Sequence, residues 1–168
     1  MSTSKRRRDV RGFTLIELVI VLGVLALLMS MTLPSFGEAV ARQRLKSVAE
    51  ELALDLGEAR LESQRGTVVH LALRPGADWC WAIGPTPGVD CTSAAAGATK
   101  VVRAQDYPGV TMSAGASSSF GGRETLAVAS TAAEFVSSQG QTLRVHMTPL
   151  GRASVCAPQS RVSDYPRC

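Results

Sequence analysis

The side chains best suited to covalent chemistry in this chain are four cysteines, Cys80, Cys91, Cys156 and Cys168. Four cysteines allow three pairings. In an oxidising compartment the two local rings, Cys80 with Cys91 and Cys156 with Cys168, are the simplest choice. A four-cysteine zinc site competes with this reading, but no pair has the spacing of about two to four residues that such sites favour, so no metal is expected. His70 and His146 each fall in a predicted strand with no carboxylate at ligand spacing, which reads as ordinary strand histidines. No nucleophile elbow, metalloprotease helix motif, phosphate-cradling glycine loop or carboxylate-pair motif is present. The expectation is a protein that is not an enzyme, has no catalytic residue and uses no cofactor.

The charges are unevenly placed. The chain carries 18 Lys+Arg against 14 Asp+Glu, a formal +4 over 168 residues. Residues 1–12 hold Lys5, Arg6, Arg7, Arg8 and Arg11 against Asp9 alone, so the whole excess sits there and the remainder is formally neutral. A basic balance of this kind does not by itself point to nucleic acid. With 45% hydrophobic residues the remainder is rich enough in aliphatics for a core, which argues against disorder. Aromatics, at 5%, are too few for a base-stacking platform.

Behind the basic cluster, Phe13 to Leu33 contains one ionisable side chain, Glu17. As a helix this stretch is about 31 Å long, enough to cross a bilayer core of about 30 Å. It is longer than the apolar region of a removable secretory signal, and Thr32, Leu33 and Pro34 follow it in place of a small-x-small cleavage site. The flanking Lys5 to Arg8 predict a cytoplasmic N-terminus and an extracytoplasmic body. A carboxylate within a spanning helix costs about 2.5 to 3.5 kcal/mol on insertion scales, so Glu17 is expected to face a partner. A positive charge at the same depth, such as a newly made amino terminus, would supply one.

Arg11-Gly12-Phe13-Thr14-Leu15-Ile16-Glu17-Leu18, with basic residues before it and an apolar run ending at Pro34 after it, resembles the type IV prepilin signal. The resemblance implies cleavage by prepilin peptidase between Gly12 and Phe13, N-methylation of Phe13, and neutralisation of a neighbouring subunit's N-terminal amine by Glu17. It implies a single-pass inner-membrane protein, cytoplasmic at the N-terminus and periplasmic in the head, that later enters a pilus or pseudopilus. Implied partners are other major and minor pilins, prepilin peptidase and the inner-membrane assembly platform.

Beyond Pro34, which is expected to kink a continuing helix, Leu45, Val48, Ala49, Leu52, Leu56 and Ala59 recur at helical spacing. Glu50, Glu51, Asp55, Glu58 and Glu62 take the other faces. The stripe is expected to pack on the protein's own sheet, with Gly66 as a left-handed cap. Residues 13 to about 64 would form one bent helical spine. From residue 67 the pattern changes to short alternating or β-branched runs: Thr67 to Arg74, Trp79 to Ile83, Lys100 to Ala104, Gly109 to Ser113, Glu124 to Ala129 and Thr142 to Met147. Gly84 to Thr99 and Ala114 to Gly122 read as mobile surface loops. The fold class is α+β, an antiparallel sheet carried on a long helix, which with the N-terminal resemblance implies a type IV pilin fold. The expected division is a removed leader over 1–12, a transmembrane and assembly helix over 13–34, and a periplasmic head over 35–168.

The body is similar to the GspH/FimT family of minor pilins and minor pseudopilins. The similarity lies in the helix from Arg44 to Ser47 and on through Glu58 to Gly66, in Phe135 to Gly140, and in Leu150-Gly151-Arg152. It implies a minor type IV pilin near the filament tip that helps start assembly, with roles in pilus biogenesis and twitching motility. Two alternatives are a GspH-like pseudopilin of type II secretion and a FimT-like pilin that binds double-stranded DNA for natural transformation. The DNA reading would use a Gly-Arg-x-Arg motif, for which Gly151 and Arg152 match and Ser154 stands at the last place. Arg144, Arg152, Arg161 and Arg167, against Asp164, are the candidate phosphate contacts.

Overall fold

A computed structural model describes residues 13–92, 97–121, 133–148, 152–159, 162 and 164–168, apart from the side chains of 31–35. The chain divides into two compact units, Met1–Gly37 and Glu38–Cys168. One helix assignment, α1 (Leu15–Gln64), runs through both, Pro34 included. It begins two residues later than the expected spine, because Thr14 serves as its cap.

In the second unit the change from helical to alternating periodicity yields eight strands. They are β1 (Val69–Arg74), β2 (Cys80–Gly84), β3 (Lys100–Arg103), β4 (Val110–Gly115), β5 (Ser118–Phe120), β6 (Ala133–Ser137), β7 (Thr142–Met147) and β8 (Ala153–Cys156). The architecture is α+β, and all the ladders between these strands are antiparallel. The single sheet expected from the sequence is in fact two four-stranded sheets, ordered β3-β2-β1-β5 and β4-β6-β7-β8. Three of the strands, β5, β6 and β8, lie outside the runs expected from the sequence. The strand expected over 124–129 lies outside the described residues.

Every member of the predicted stripe, Leu45, Val48, Ala49, Leu52, Leu56 and Ala59, is buried. Their partners come from both sheets: Val69, Leu71 and Leu73 of β1, Phe135 of β6, and Leu143, Val145 and Met147 of β7. At the centre the Trp79 and Trp81 rings stack 5.4 Å apart, with planes 8° from parallel, and Phe135 meets both edge-on. These large rings supply much of the core that a chain poor in aromatics can build.

One charged residue breaks the expected pattern. Asp55, assigned by its polarity to an outer face of α1, is only 4% exposed. It accepts the Trp81 indole N–H at 2.9 Å and an ammonium hydrogen bond from Lys100 at 2.7 Å. Lys100 also pairs with Glu51 at 2.8 Å, and the Tyr107 hydroxyl donates to Glu51. Burial alone would lower the Lys100 pKa, but the hydrogen bonds and charges of Asp55 and Glu51 outweigh it and hold the ammonium above its ordinary value. Burial, reinforced by Glu51, pushes the Tyr107 phenol up. A buried carboxylate is tolerable because each oxygen has a donor.

The stretch after β2 is not a free loop. A disulfide joins Cys80 to Cys91, and Val89 and Cys91 fold onto the outer face of the first sheet. There they form a second small core with Cys80 and Ala82, edged by Ala72, Ala98 and Val101. Alternation explains the placement: Ala72, Cys80, Ala82 and Val101 face away from the tryptophans, so the disulfide-tied strap has an apolar surface to cover. The second stretch expected as a mobile loop also carries structure, since β5 pairs with β1 and Phe120 is fully buried.

The C-terminal segment is tied down by Cys156–Cys168. Ala157 bridges to Arg167, Val162 is buried, the Tyr165 hydroxyl donates to Glu50 of α1, and Lys46 pairs with Asp164. The tail therefore docks on the helix. Burial first, then the hydrogen bond to Glu50, raises the Tyr165 pKa.

Candidate functional site

The first candidate site is the start of α1. Gly12 lies outside the described residues; Phe13 is described and is 85% exposed. Thr14 precedes the helix, and its hydroxyl accepts the backbone N–H of Glu17 at 3.3 Å. Its carbonyl accepts the N–H of Leu18 at 3.2 Å, closing the first turn. Thr14-x-x-Glu17 is thus the sequence form of a capping box, with the threonine half made. The Glu17 carboxylate sits in the first turn, where the helix dipole favours negative charge. Thr14 was missed in the sequence reading, although a threonine three residues before a glutamate and ahead of an apolar run signals it.

The apolar side chains behind this cap have no cover. Leu15, Ile16, Leu18, Val19, Ile20, Leu22, Leu27 and Leu28 are all more than half exposed. A helix apolar on every face needs lipid or other helices around it. Among the described residues no helix is long and apolar enough to cross a membrane. The span expected over Phe13 to Leu33 runs into residues 31–35, whose side chains are not described.

The second candidate site is the arginine-bearing C-terminal segment. Arg144 lies on the outward row of β7, opposite Glu134 of β6 in register, and donates to its Oε2 from Nε at 3.1 Å and Nη2 at 2.8 Å. Its charge is already matched, and Glu134 is the residue that the sequence reading overlooked. Arg152 is exposed just before β8, where its N–H donates to the Thr148 hydroxyl at 3.1 Å. Arg167 is exposed beside the Cys156–Cys168 disulfide. Neither of these two guanidiniums has an ion pair among the described residues, and Gly151 and Arg161 lie outside them. The structure thus places Arg144 in a structural pair and leaves Arg152 and Arg167 solvated.

His70 and His146 are half-buried strand residues. His146 Nε2 is 3.0 Å from the Ser154 hydroxyl and its Nδ1 is 3.5 Å from Cys156 Sγ. All four cysteines are consumed by the two disulfides, and among the described residues no cluster of His, Cys, Asp and Glu is arranged to hold a metal.

The family model described as the prokaryotic N-terminal methylation motif matches residues 7–33. No curated protein matches the chain, and no solved structure does. The matched span covers the basic cluster, Gly12, Phe13, Glu17 and the exposed apolar helix. The motif implies processing by prepilin peptidase, a membrane-anchored N-terminus and assembly with other pilins. This motif ahead of an α+β head supports a type IV pilin-like protein.

Proposed function

We propose that this chain is a minor type IV pilin of the GspH/FimT family, incorporated into the pilus to help start assembly or cap the tip. The observation that carries the reading is the methylation motif over residues 7–33, which takes in a helical stretch whose apolar side chains are exposed. In this reading residues 1–12 are removed, 13–34 hold the subunit in the inner membrane until assembly, and 35–168 form the periplasmic head. Prepilin peptidase cuts between Gly12 and Phe13 and the new Phe13 amine is methylated. That amine is positive and lies beside the positive end of the α1 dipole, so it gains from a carboxylate. Glu17 of a neighbouring subunit supplies it.

Deletion of the gene tests the assignment: surface pili and twitching should fall. Normal piliation with secreted enzymes held in the periplasm would replace it with a type II pseudopilin. Loss of neither function would reject both.

A second reading, binding of double-stranded DNA during transformation, is favoured by one observation: Arg152 and Arg167 are exposed and without ion pairs among the described residues. The full chain in neutral detergent should then retard duplex DNA, less so as salt rises and less so in Arg152→Ala. No retardation at low salt would reject it.

A further inference from the structure

A cavity of about 460 Å³ opens on the outer face of the first sheet, beside the strap, and neither Arg152 nor Arg167 is in its lining. Its placement follows from register. Arg74 of β1 and Arg103 of β3 both pair with Cys80 of β2, so the three residues form one row across the sheet with the two arginines flanking the disulfide. Neighbouring strands are about 4.8 Å apart, which sets the two Cα atoms about 10 Å apart, and alternation sends both side chains to the face that the strap covers. Both arginines are exposed, line the cavity and have no ion pair among the described residues. Thr92, also lining it, is held by Asp90, which accepts its backbone N–H at 3.1 Å and its hydroxyl. Gln105 adds an amide, and Asp78 is the single carboxylate of the lining.

We propose that this cavity binds a small solute carrying a phosphate-type oxyanion. A carboxylate has two oxygens and saturates one guanidinium fork, whereas a phosphate or diphosphate presents enough acceptor oxygens for two forks approaching from opposite sides. The Gln105 amide extends the donor set. Asp78 opposes the anion and limits affinity, which gives the site a signed signature.

Inorganic pyrophosphate is the probe, titrated calorimetrically into the full chain in neutral detergent at low salt. Binding is expected at one site per chain, weakening at least about tenfold in Arg74→Gln or Arg103→Gln and vanishing in the double variant. Asp78→Asn should tighten it, and Arg65→Gln, at the exposed end of α1, should leave it unchanged. Thermal midpoints of the variants, measured in parallel, separate lost binding from lost fold. Absence of pyrophosphate binding, or wild-type affinity in both single arginine variants, would overturn the proposal. Capture of anionic phospholipid vesicles through Arg74 and Arg103 without pyrophosphate binding would also overturn it, in favour of a lipid surface.

Discussion

Asp55 of α1 and Trp81 of β2 meet across the boundary between helix and sheet, with the indole N–H donated to a carboxylate oxygen at 2.9 Å. The contact fixes how far α1 can slide or roll on the first sheet, because the other oxygen is held by Lys100 at 2.7 Å. Apolar packing alone tolerates small shifts; a donor and an ammonium converging on one carboxylate does not.

Asp55→Ala should therefore cost about 1 to 3 kcal/mol, since it leaves the buried Trp81 N–H without an acceptor. Asp55→Asn, which keeps an acceptor for Trp81 but sets an amide NH2 in place of the oxygen that Lys100 bonds, should cost less because Lys100 is half-exposed and can turn to Glu51 and water. Urea unfolding of both variants measures the difference, and equal losses would show that the charge, not the indole bond, carries the contact.

Alkaline pH should destabilise the head. The Lys100, Tyr107 and Tyr165 pKa values are all raised in the folded chain. Groups raised on folding bind protons more tightly there, so their contribution is complete below the unfolded values of about 10 to 10.4 and is lost as pH climbs through the folded ones. The thermal midpoint should hold up to about pH 9 and fall above about pH 10. Tyr107→Phe and Tyr165→Phe together should shrink that fall.

Gly84→Ala should loosen the strap. A Cβ at Gly84 would lie 2.1 Å from the Gly97 carbonyl oxygen, a backbone atom that cannot swing aside. Relief requires moving the strap base, at a cost of about 1 to 3 kcal/mol. Faster proteolysis between residues 85 and 99 than in wild type is the expected readout, with α1 and the second sheet still protected.

Glu17 separates capping from charge. Glu17→Gln retains a residue suited to the capping position but removes the carboxylate, whereas Glu17→Val removes both. If neutralisation of a neighbour's amine is its task, both variants should insert in the membrane and both should lose incorporation into filaments. Wild-type incorporation of Glu17→Gln would assign the residue to capping alone.

Much of this was legible beforehand because it obeys local periodicity. The stripe from Leu45 to Ala59 repeats at three and four residues, and each member packs inward. Both disulfides close rings whose ends are near in sequence. What escaped depends on partners distant in sequence. Asp55 reads as a surface acid until Trp81 and Lys100, 26 and 45 residues away, come to meet it. Ser118–Phe120 is too short and too polar to announce a strand, and exists as one because the edge of β1 lies open to it. Arg144 resembles a phosphate contact until β6 brings Glu134 opposite. The residues named for processing carry a motif that is local, which is why they could be named at all.

The two disulfides are also ordered along the chain, the first ring complete at Cys91 before the second begins at Cys156. A head emerging from a membrane from its helix-proximal end onward would expose the two cysteines of one ring together, well ahead of the other pair. Short rings close at lower entropic cost than long ones. An oxidant meeting the emerging chain would thus tend to form the native bonds in sequence, with little call for an isomerase to reshuffle them.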